Sequence, residues 1–227
     1  MSSSVNNYFT LNYSQPEEYH FSHDSIFLSR QVFEIIKSQG LSYDYILDLC
    51  AGCGVVGIDL LYHLNKENLK LPTELDFIEV QEIYSQHFEK NMLSIKPLLK
   101  ASLKTNLKAT FIRENYSQVI RNPQLQGRYQ LIICNPPYFR LNHGSLSNSE
   151  FKNRCRFFID SDFKSLIEAI SYCLAPDGKA FILIKNLEKH GLNIQQELKD
   201  YASDLRFQKI GVVRATDLYE FTKLEKK

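Results

Sequence analysis

Short runs of consecutive apolar residues alternate along this chain with longer stretches in which apolar residues recur every three or four positions. The first rhythm marks strands buried on both faces, the second helices with one buried stripe. Tyr45-Ile46-Leu47-Asp48-Leu49 reads as the first strand, and Leu75 to Glu79, Ala109 to Arg113, Tyr129 to Ile133 and Lys179 to Lys185 as the next four. Helical spacing precedes the first strand, with Ile26, Phe27, Val32, Phe33 and Ile36 on one stripe, Ser22 or Asp24 as the cap and Gly40 as the stop. It recurs over Val55 to Leu64, over Ile83 to Leu93, and from a cap at Asp160 or Ser161 through Leu174, before a turn at Pro176-Asp177-Gly178. Two β-like runs close the chain, Phe207 to Val213 and Leu218 to Thr222, joined by a short turn near Ala215-Thr216. Strands alternating with helices predict an α/β fold, a seven-stranded and mostly parallel sheet with helices on both faces. The closing pair adds an antiparallel hairpin at one edge.

Composition narrows the picture. At 227 residues, 44% apolar and 23% charged, the chain has the size and make-up of one globular domain. Residues 1–20 read as a flexible arm and residues 21–227 as a single domain. No apolar run approaches the roughly eighteen residues of a membrane span, and polar Met1 to Tyr13 lacks a signal core, so a cytoplasmic location is expected. The five cysteines lack metal-ligand spacing, and no metal is expected. Cys50 and Cys53 form a C-x-x-C, whose two readings are small reduced core residues and a redox pair. A net charge of +1 argues against a protein that coats nucleic acid, yet leaves room for a local basic patch.

Candidate chemistry begins at the first strand-to-helix turn, I-L-D-L-C-A-G-C-G-V-V-G-I-D-L-L from Ile46 to Leu61. Gly52 and Gly54 allow a ligand close to the backbone, and the turn feeds a helix N-terminus that favours polar or negative groups. Asp48, at the strand end, can order the turn or accept from an ammonium group. Gly57 also satisfies the dinucleotide spacing, so the turn alone is ambiguous. Glu79 ends the second strand, where an acid can accept both hydroxyls of a ribose. It lies about thirty residues beyond the turn rather than the roughly twenty of the dinucleotide fingerprint, with the polar loop Asn65 to Thr73 between. Its other reading is a cap on the helix that follows. After the third strand comes Arg113-Glu114-Asn115-Tyr116, where a side-chain oxygen can read an adenine amino group. Asn115 is the expected reader and Glu114 the alternative.

Asn135-Pro136-Pro137-Tyr138 follows directly on Leu131-Ile132-Ile133, at the sheet edge where α/β ligands bind. An amino nitrogen conjugated to a ring is a poor nucleophile. The Asn135 side-chain oxygen can accept one amino hydrogen. The Pro136 carbonyl can accept the other, because two prolines hold the backbone extended. Accepting both favours a pyramidal nitrogen with a free lone pair, a contribution of orientation and electrostatics. Tyr138 offers a face for a flipped base, and Phe139 a second wall. Read alone, the quartet is also a plausible tight turn.

Asp48 to Gly54, Glu79 and Asn135 to Tyr138 together resemble motifs I, II and IV of class I, S-adenosylmethionine-dependent methyltransferases acting on adenine N6 or glutamine N5. The resemblance covers roughly Phe21 to the C-terminus. It implies the Rossmann-like methyltransferase fold, S-adenosyl-L-methionine as cofactor, and a cofactor site built from Phe21, Asp48, Cys50, Ala51, Gly52, Cys53, Gly54, Glu79, Val80, Asn115, Tyr116 and Asn135. It implies Asn135, Pro136, Pro137 and Tyr138 as the catalytic group. Phe21-Ser22-His23-Asp24-Ser25 resembles the F-S-x-D-S segment of bacterial tRNA adenine N6-methyltransferases, where this segment closes over the cofactor; a helix cap is its other reading. Glutamine methyltransferases usually carry a longer helical domain before motif I, and the roughly 45 residues here are too few for one. Three departures stand out: Cys50 for the first glycine of motif I, Gln130 for an acid often found in the fourth strand, and Arg154-Cys155-Arg156-Phe157-Phe158 without the usual His and Glu neighbours.

Lys152, Arg154 and Arg156, with Arg140 nearby, read as a basic and aromatic loop over the active site. Tyr138, Phe139, Arg140, Arg154 and Arg156 are the expected substrate contacts, the arginines on phosphates; a solvated charged loop is the alternative. The expected partner is RNA, tRNA-like. The alternatives are a glutamine-bearing protein, and a methyltransferase-fold binding module that has lost catalysis.

Overall fold

The computed structural model describes residues 11–99, 107–141, 144–185 and 193–224. Helix α1 (His23–Gln39) starts after Ser22, whose extended backbone is that of an N-cap although its hydroxyl makes no cap bond. It ends where Gly40, at φ 61°, turns its N–H back to the carbonyls of Ile36 and Lys37. Then follow β1 (Tyr45–Leu49), α2 (Val55–Lys66), β2 (Glu74–Glu79), α3 (Ile83–Ile95), β3 (Lys108–Arg113), β4 (Tyr129–Cys134), α4 (Glu150–Arg156), α5 (Phe163–Cys173), β5 (Leu174–Ile184), α6 (Ile194–Tyr201), β6 (Leu205–Val213) and β7 (Thr216–Lys223). The seven strands form one sheet in the order β3-β2-β1-β4-β5-β7-β6. The first five run parallel, and β7 lies antiparallel between β5 and β6.

The period of two along each strand sorts its side chains into two cores. Ile46, Leu75, Phe77, Leu131, Ile133, Phe181 and Leu183 meet α1, α2 and α3 on one face. Leu47, Leu49, Ile78, Ile132, Cys134, Ala180 and Ile182 meet α5 and α6 on the other. Both faces are covered, which is why these strands read as near-continuous apolar runs.

Four details differ from the sequence expectation. The segment around Arg154 is not a loop but the short helix α4, capped by the Ser149 hydroxyl on the Lys152 N–H. The cap of α5 is Asp162, which accepts from the Ser165 N–H, rather than Asp160 or Ser161. Helix α6 was not foreseen; it is only eight residues long and buries Ile194 and Leu198. The described half of the N-terminal arm is docked: Tyr13 is buried with its hydroxyl on Asp59 Oδ1 at 3.1 Å, and Ser14 exchanges two hydrogen bonds with Asn91.

The order of strands fixes the site. From β1 the chain moves outward to β2 and β3, then returns to place β4 on the other side of β1. Leu49 and Cys134, the last residues of β1 and β4, are register partners. The glycine turn after β1 and the Asn-Pro-Pro-Tyr segment after β4 therefore leave the sheet side by side. Among the described residues no helix is long and apolar enough to cross a membrane, and no group of three or more His, Cys, Asp or Glu side chains could hold a metal.

Candidate active site

A cavity of about 200 Å³ opens at this switch point. Its floor is the turn after β1, where Cys50, Gly52 and Gly54 all lie at positive φ, 60°, 54° and 80°. Cys50 thus keeps the backbone shape of the glycine it replaces, a conformation costly for a residue with a Cβ. The Ala51 N–H bonds the Ile78 carbonyl at 3.1 Å, and Asn91 Nδ2 bonds the Cys53 carbonyl at 2.9 Å. Cys50, Ala51, Gly52 and Cys53 face the cavity, as expected.

Asp48 and Gly54 lie behind the wall. Asp48 is fully buried and accepts the Gly57 N–H on Oδ2 at 2.9 Å, so of its two expected roles the structure displays the ordering of the turn. Its Oδ1 has no hydrogen-bond partner among the described residues. Burial drives the Asp48 carboxyl well above the usual carboxylate range; the Gly57 N–H opposes this and the Glu79 charge adds to it. Gly54 and Gly57 are glycines for space. A Cβ on Gly54 would lie 2.8 Å from Phe88 Cδ2, and one on Gly57 would lie 2.7 Å from Phe77 Cε1.

Glu79 ends β2 with its carboxylate on the cavity wall. Oε2 accepts the Gly52 N–H at 3.0 Å and Oε1 the Gln81 N–H at 2.9 Å. Each oxygen keeps a further lone pair, and the two backbone donors fix the plane of the group. Burial raises its pKa, while the N–H groups of Gln81, Gly52 and Val80 pull it back. Glu79 therefore organises the turn on its own helix side and still presents two acceptors to the cavity. Val80 and Ile78 continue this wall.

The third strand departs from expectation. Asn115 and Tyr116 do line the cavity, as does Glu114. Yet the Asn115 amide is already committed to structure: Oδ1 accepts the Ser117 N–H at 2.9 Å and Nδ2 donates to the Asp160 carbonyl at 2.8 Å. It caps the 3-10 turn Tyr116–Arg121. Each side chain still has acceptor capacity: Asn115 Oδ1 and Glu114 Oε1 each accept one backbone N–H.

Across the cavity stands the segment after β4. Asn135 Nδ2 donates to Ser25 Oγ at 2.9 Å, and the Tyr138 hydroxyl donates to Asn135 Oδ1 at 2.7 Å. Asp24 Oδ2 lies 3.2 Å from the same hydroxyl, and Thr216 also hydrogen-bonds it. Burial, then the Asp24 charge, push the Tyr138 phenol far above its ordinary value, so it is a donor at every physiological pH. The N–H groups of Tyr138 and Phe139 both bond the Arg156 carbonyl, at 3.0 and 2.9 Å, and Phe139 bridges Phe157. These bonds tie the end of α4 to the segment after β4.

The expected phosphate contacts separate. Arg154 makes a two-pronged ion pair with Asp160, at 3.0 and 2.7 Å, and Arg140 pairs with Glu197 Oε2 at 2.5 Å. Both are half-buried and paired within the chain, and Arg154 also lines the cavity. Arg156 lies over the rings of Phe139 and Phe157, 5.8 and 5.5 Å from their centroids. The C-x-x-C is not poised for redox chemistry: burial pushes the Cys53 thiol up to about 12, and Cys50 is raised by its hydrogen bond to Cys134 and by burial. Gln130, in place of an acid, uses its Oε1 to accept the Asp44 N–H at 2.8 Å, so an oxygen acceptor is preserved.

Several cavity residues were not foreseen. Gln15 and Tyr19 come from the docked arm, Gln81 from just before α3, Tyr84 from its first turn, and Cys155 from α4. The Tyr84 hydroxyl and the Cys155 sulfur are 3.2 Å apart, which closes α4 onto α3. No spacing in the sequence joins such distant segments.

The donor set suits a nucleoside ligand with a charged tail. Glu79 offers paired acceptors for a diol, and Ile78, Val80 and Tyr116 offer apolar and aromatic surface.

No protein-family model matches the chain. It is 27% identical over 148 residues to the tRNA1(Val) (adenine(37)-N6)-methyltransferase of Shewanella sp. (strain W3-18-1), covering 65% of this chain and 55% of that protein. It is 31% identical over 119 residues to a release factor glutamine methyltransferase of Clostridium botulinum, covering 52% of this chain and 35% of that one. The chain thus spans about half the length, or less, of these curated relatives. Among solved structures, the Thermus thermophilus 16S rRNA N2 G1207 methyltransferase, in complex with AdoMet and guanosine, superposes with a TM-score of 0.59 at 16% identity, over 92% of this chain and 45% of that one. The SAM-dependent methyltransferase of Agrobacterium tumefaciens does so with 0.53 at 11%, over 89% and 63%. The sheet order, the switch point between β1 and β4 and the antiparallel close are those of the Rossmann-like class I methyltransferase fold.

Proposed function

We propose that this protein is an S-adenosylmethionine-dependent methyltransferase acting on an exocyclic amino nitrogen, adenine N6 in a tRNA-like RNA. The observation that carries this reading is the place of Asn135. Its amide oxygen stands at the carboxyl end of β4, on one wall of a cavity whose floor is the glycine turn and whose far wall holds Glu79. Glu79 would hold the ribose hydroxyls, Val80, Glu114 and Tyr116 the adenine, and the turn from Cys50 to Cys53 with Phe21 the amino-acid tail. When bound, S-adenosylmethionine supplies an electrophilic methyl group on a sulfonium.

The chain's own residues deal with the acceptor. Asn135 Oδ1 and the Pro136 carbonyl accept the two amino hydrogens, which turns the nitrogen lone pair away from the ring. The Tyr138 hydroxyl sits on Asn135 Oδ1, and Asp24 Oδ2, 3.2 Å away, offers it a second acceptor. Tyr138 can therefore release Asn135 to the amino group without losing its hydrogen bond, while its ring and that of Phe139 flank the base. Arg156, stacked on Phe139 and Phe157 beside them, is the cation we assign to RNA. A cytoplasmic location accords with this substrate.

The test is incubation with methyl-labelled S-adenosylmethionine and separated total RNA, DNA and protein, followed by digestion of the labelled fraction. N6-methyladenosine from RNA is the expected product. Label in protein as N5-methylglutamine would replace it by the second reading, which the likeness to the Clostridium botulinum glutamine enzyme favours. Absence of label in all fractions, with cofactor bound, would mean a binding module.

A further inference from the structure

We infer that Ser25 is a positioning residue that holds the Asn135 side-chain amide in place when Tyr138 gives up the amide oxygen. The inference rests on the proposed amino-nitrogen chemistry. An amide presents an acceptor at one end and two donors at the other, in nearly the same shape, and its terminal torsion is soft. Turned by half a revolution, Asn135 would aim N–H groups at an amino group and oppose binding. Something must hold it.

Two contacts bear on that choice. The Tyr138 hydroxyl donates to Oδ1 at 2.7 Å, and Ser25 Oγ accepts from Nδ2 at 2.9 Å. The first is the contact an incoming amino hydrogen must replace. Tyr138 has one proton, and Asp24 Oδ2, at 3.2 Å, is a second acceptor for it. Ser25 then remains as the partner on Nδ2. It is well placed to persist: it is 5% exposed, in the first turn of α1, and its own N–H is fixed to the Ser22 carbonyl at 3.1 Å. Asp24, one residue earlier, is the acceptor for the displaced Tyr138 hydroxyl. The first turn of α1 thus serves both side chains of the catalytic segment, more than one hundred residues away in sequence.

The test compares wild type, Ser25→Ala and Ser25→Thr. The state of the amide is read by NMR of protein labelled with ¹⁵N in asparagine, the Asn135 side-chain pair being assigned by its loss in Asn135→Asp. In wild type that pair should show the shift and slow exchange of a hydrogen-bonded amide. Ser25→Ala should move it to exposed-amide values and lower single-turnover methylation about tenfold or more. Cofactor affinity by calorimetry should stay within about twofold. Ser25→Thr, which keeps the hydroxyl, should restore both readouts. An unchanged amide signal in Ser25→Ala overturns the inference. So does a fall in cofactor affinity with turnover kept at saturation, which would make Ser25 a cofactor contact. If wild type methylates nothing, the proposed function fails, and the amide signal alone decides the role of Ser25.

Discussion

Asn135 and Glu79 line one cavity and are the two polar side chains on which the proposed chemistry depends. Asn135→Ala should lower turnover about a hundredfold, the usual loss for one preorganised polar contact. Cofactor affinity should be unchanged, since Glu79 and the turn are untouched. Single-turnover methylation with saturating cofactor checks this; a variant within a few-fold of wild type would remove the segment from the mechanism. Glu79→Ala should weaken cofactor binding by about 1–3 kcal/mol, the loss of hydrogen bonds to a charged acceptor. It should also loosen the turn, because the Gly52 and Gln81 N–H groups lose their acceptor. Calorimetry with S-adenosylmethionine measures the first effect. That Asn135, Tyr138 and Glu79 meet at one cavity was legible at this scale because a strand end fixes where a side chain leaves the sheet. Asn115 has a structural part that its own neighbourhood did not announce. The same residue type that can read a base also caps a helical turn, and which of the two it does depends on Asp160, 45 residues away.

At the scale of elements, α4 and the arm over residues 11–22 enclose the cavity. The arm is held by Tyr13 on Asp59 and by Asn91, which bonds both Ser14 and the Cys53 carbonyl of the cofactor turn. Tyr13→Ala removes a buried ring, a change worth about 3–5 kcal/mol in a core. Here it should undock the arm, raise hydrogen exchange over residues 11–22 and weaken cofactor binding. Unchanged exchange would show that the arm does not depend on Tyr13. Helix α4 is held by the Arg154–Asp160 pair, partly buried on both sides, and by the Tyr84–Cys155 contact. Arg154→Ala and Arg156→Ala should therefore differ. The first should loosen α4, seen as faster exchange over residues 150–162. The second should weaken RNA binding and lower its salt dependence by about one counterion. Equal effects of both on RNA affinity across a salt series would contradict that division. The two elements escaped the sequence for related reasons. The arm has one deeply buried apolar anchor and no period, and α4 is seven residues long with Asn153 as its buried residue.

Across the whole molecule, two buried carboxyls at one switch point shape the response to pH. Burial raises both Asp48 and Glu79 above their ordinary range. A group whose pKa is higher folded than unfolded favours folding most below its unfolded value. That contribution is lost as pH rises through the folded value. Stability of the cofactor-free protein should therefore decline from the ordinary carboxylate range upward as Asp48 and Glu79 ionise. Asp48→Asn keeps an acceptor for the Gly57 N–H and removes one of the two charges. Thermal melts across pH should show the variant gaining on wild type as pH rises. A gap that closes or reverses would assign the pH response to other groups.

The sequence by itself determined the sheet, its helical cover and the place of the two turns that line the cavity. Strand periodicity, chain order and turn residues are local properties, and a right-handed crossover leaves few ways to assemble them. Asp48 and Gly54 were legible as parts of the turn, but whether they touch a ligand or support the backbone from behind was decided by Gly57, Phe77 and Phe88. Tertiary structure alone decided that Arg140 and Arg154 are held by Glu197 and Asp160. It alone brought Asp24 and Ser25 to Asn135 and Tyr138. A charge or a hydroxyl carries no record in its own neighbourhood of the partner it will meet. That partner is chosen by the folding of segments dozens to more than one hundred residues apart.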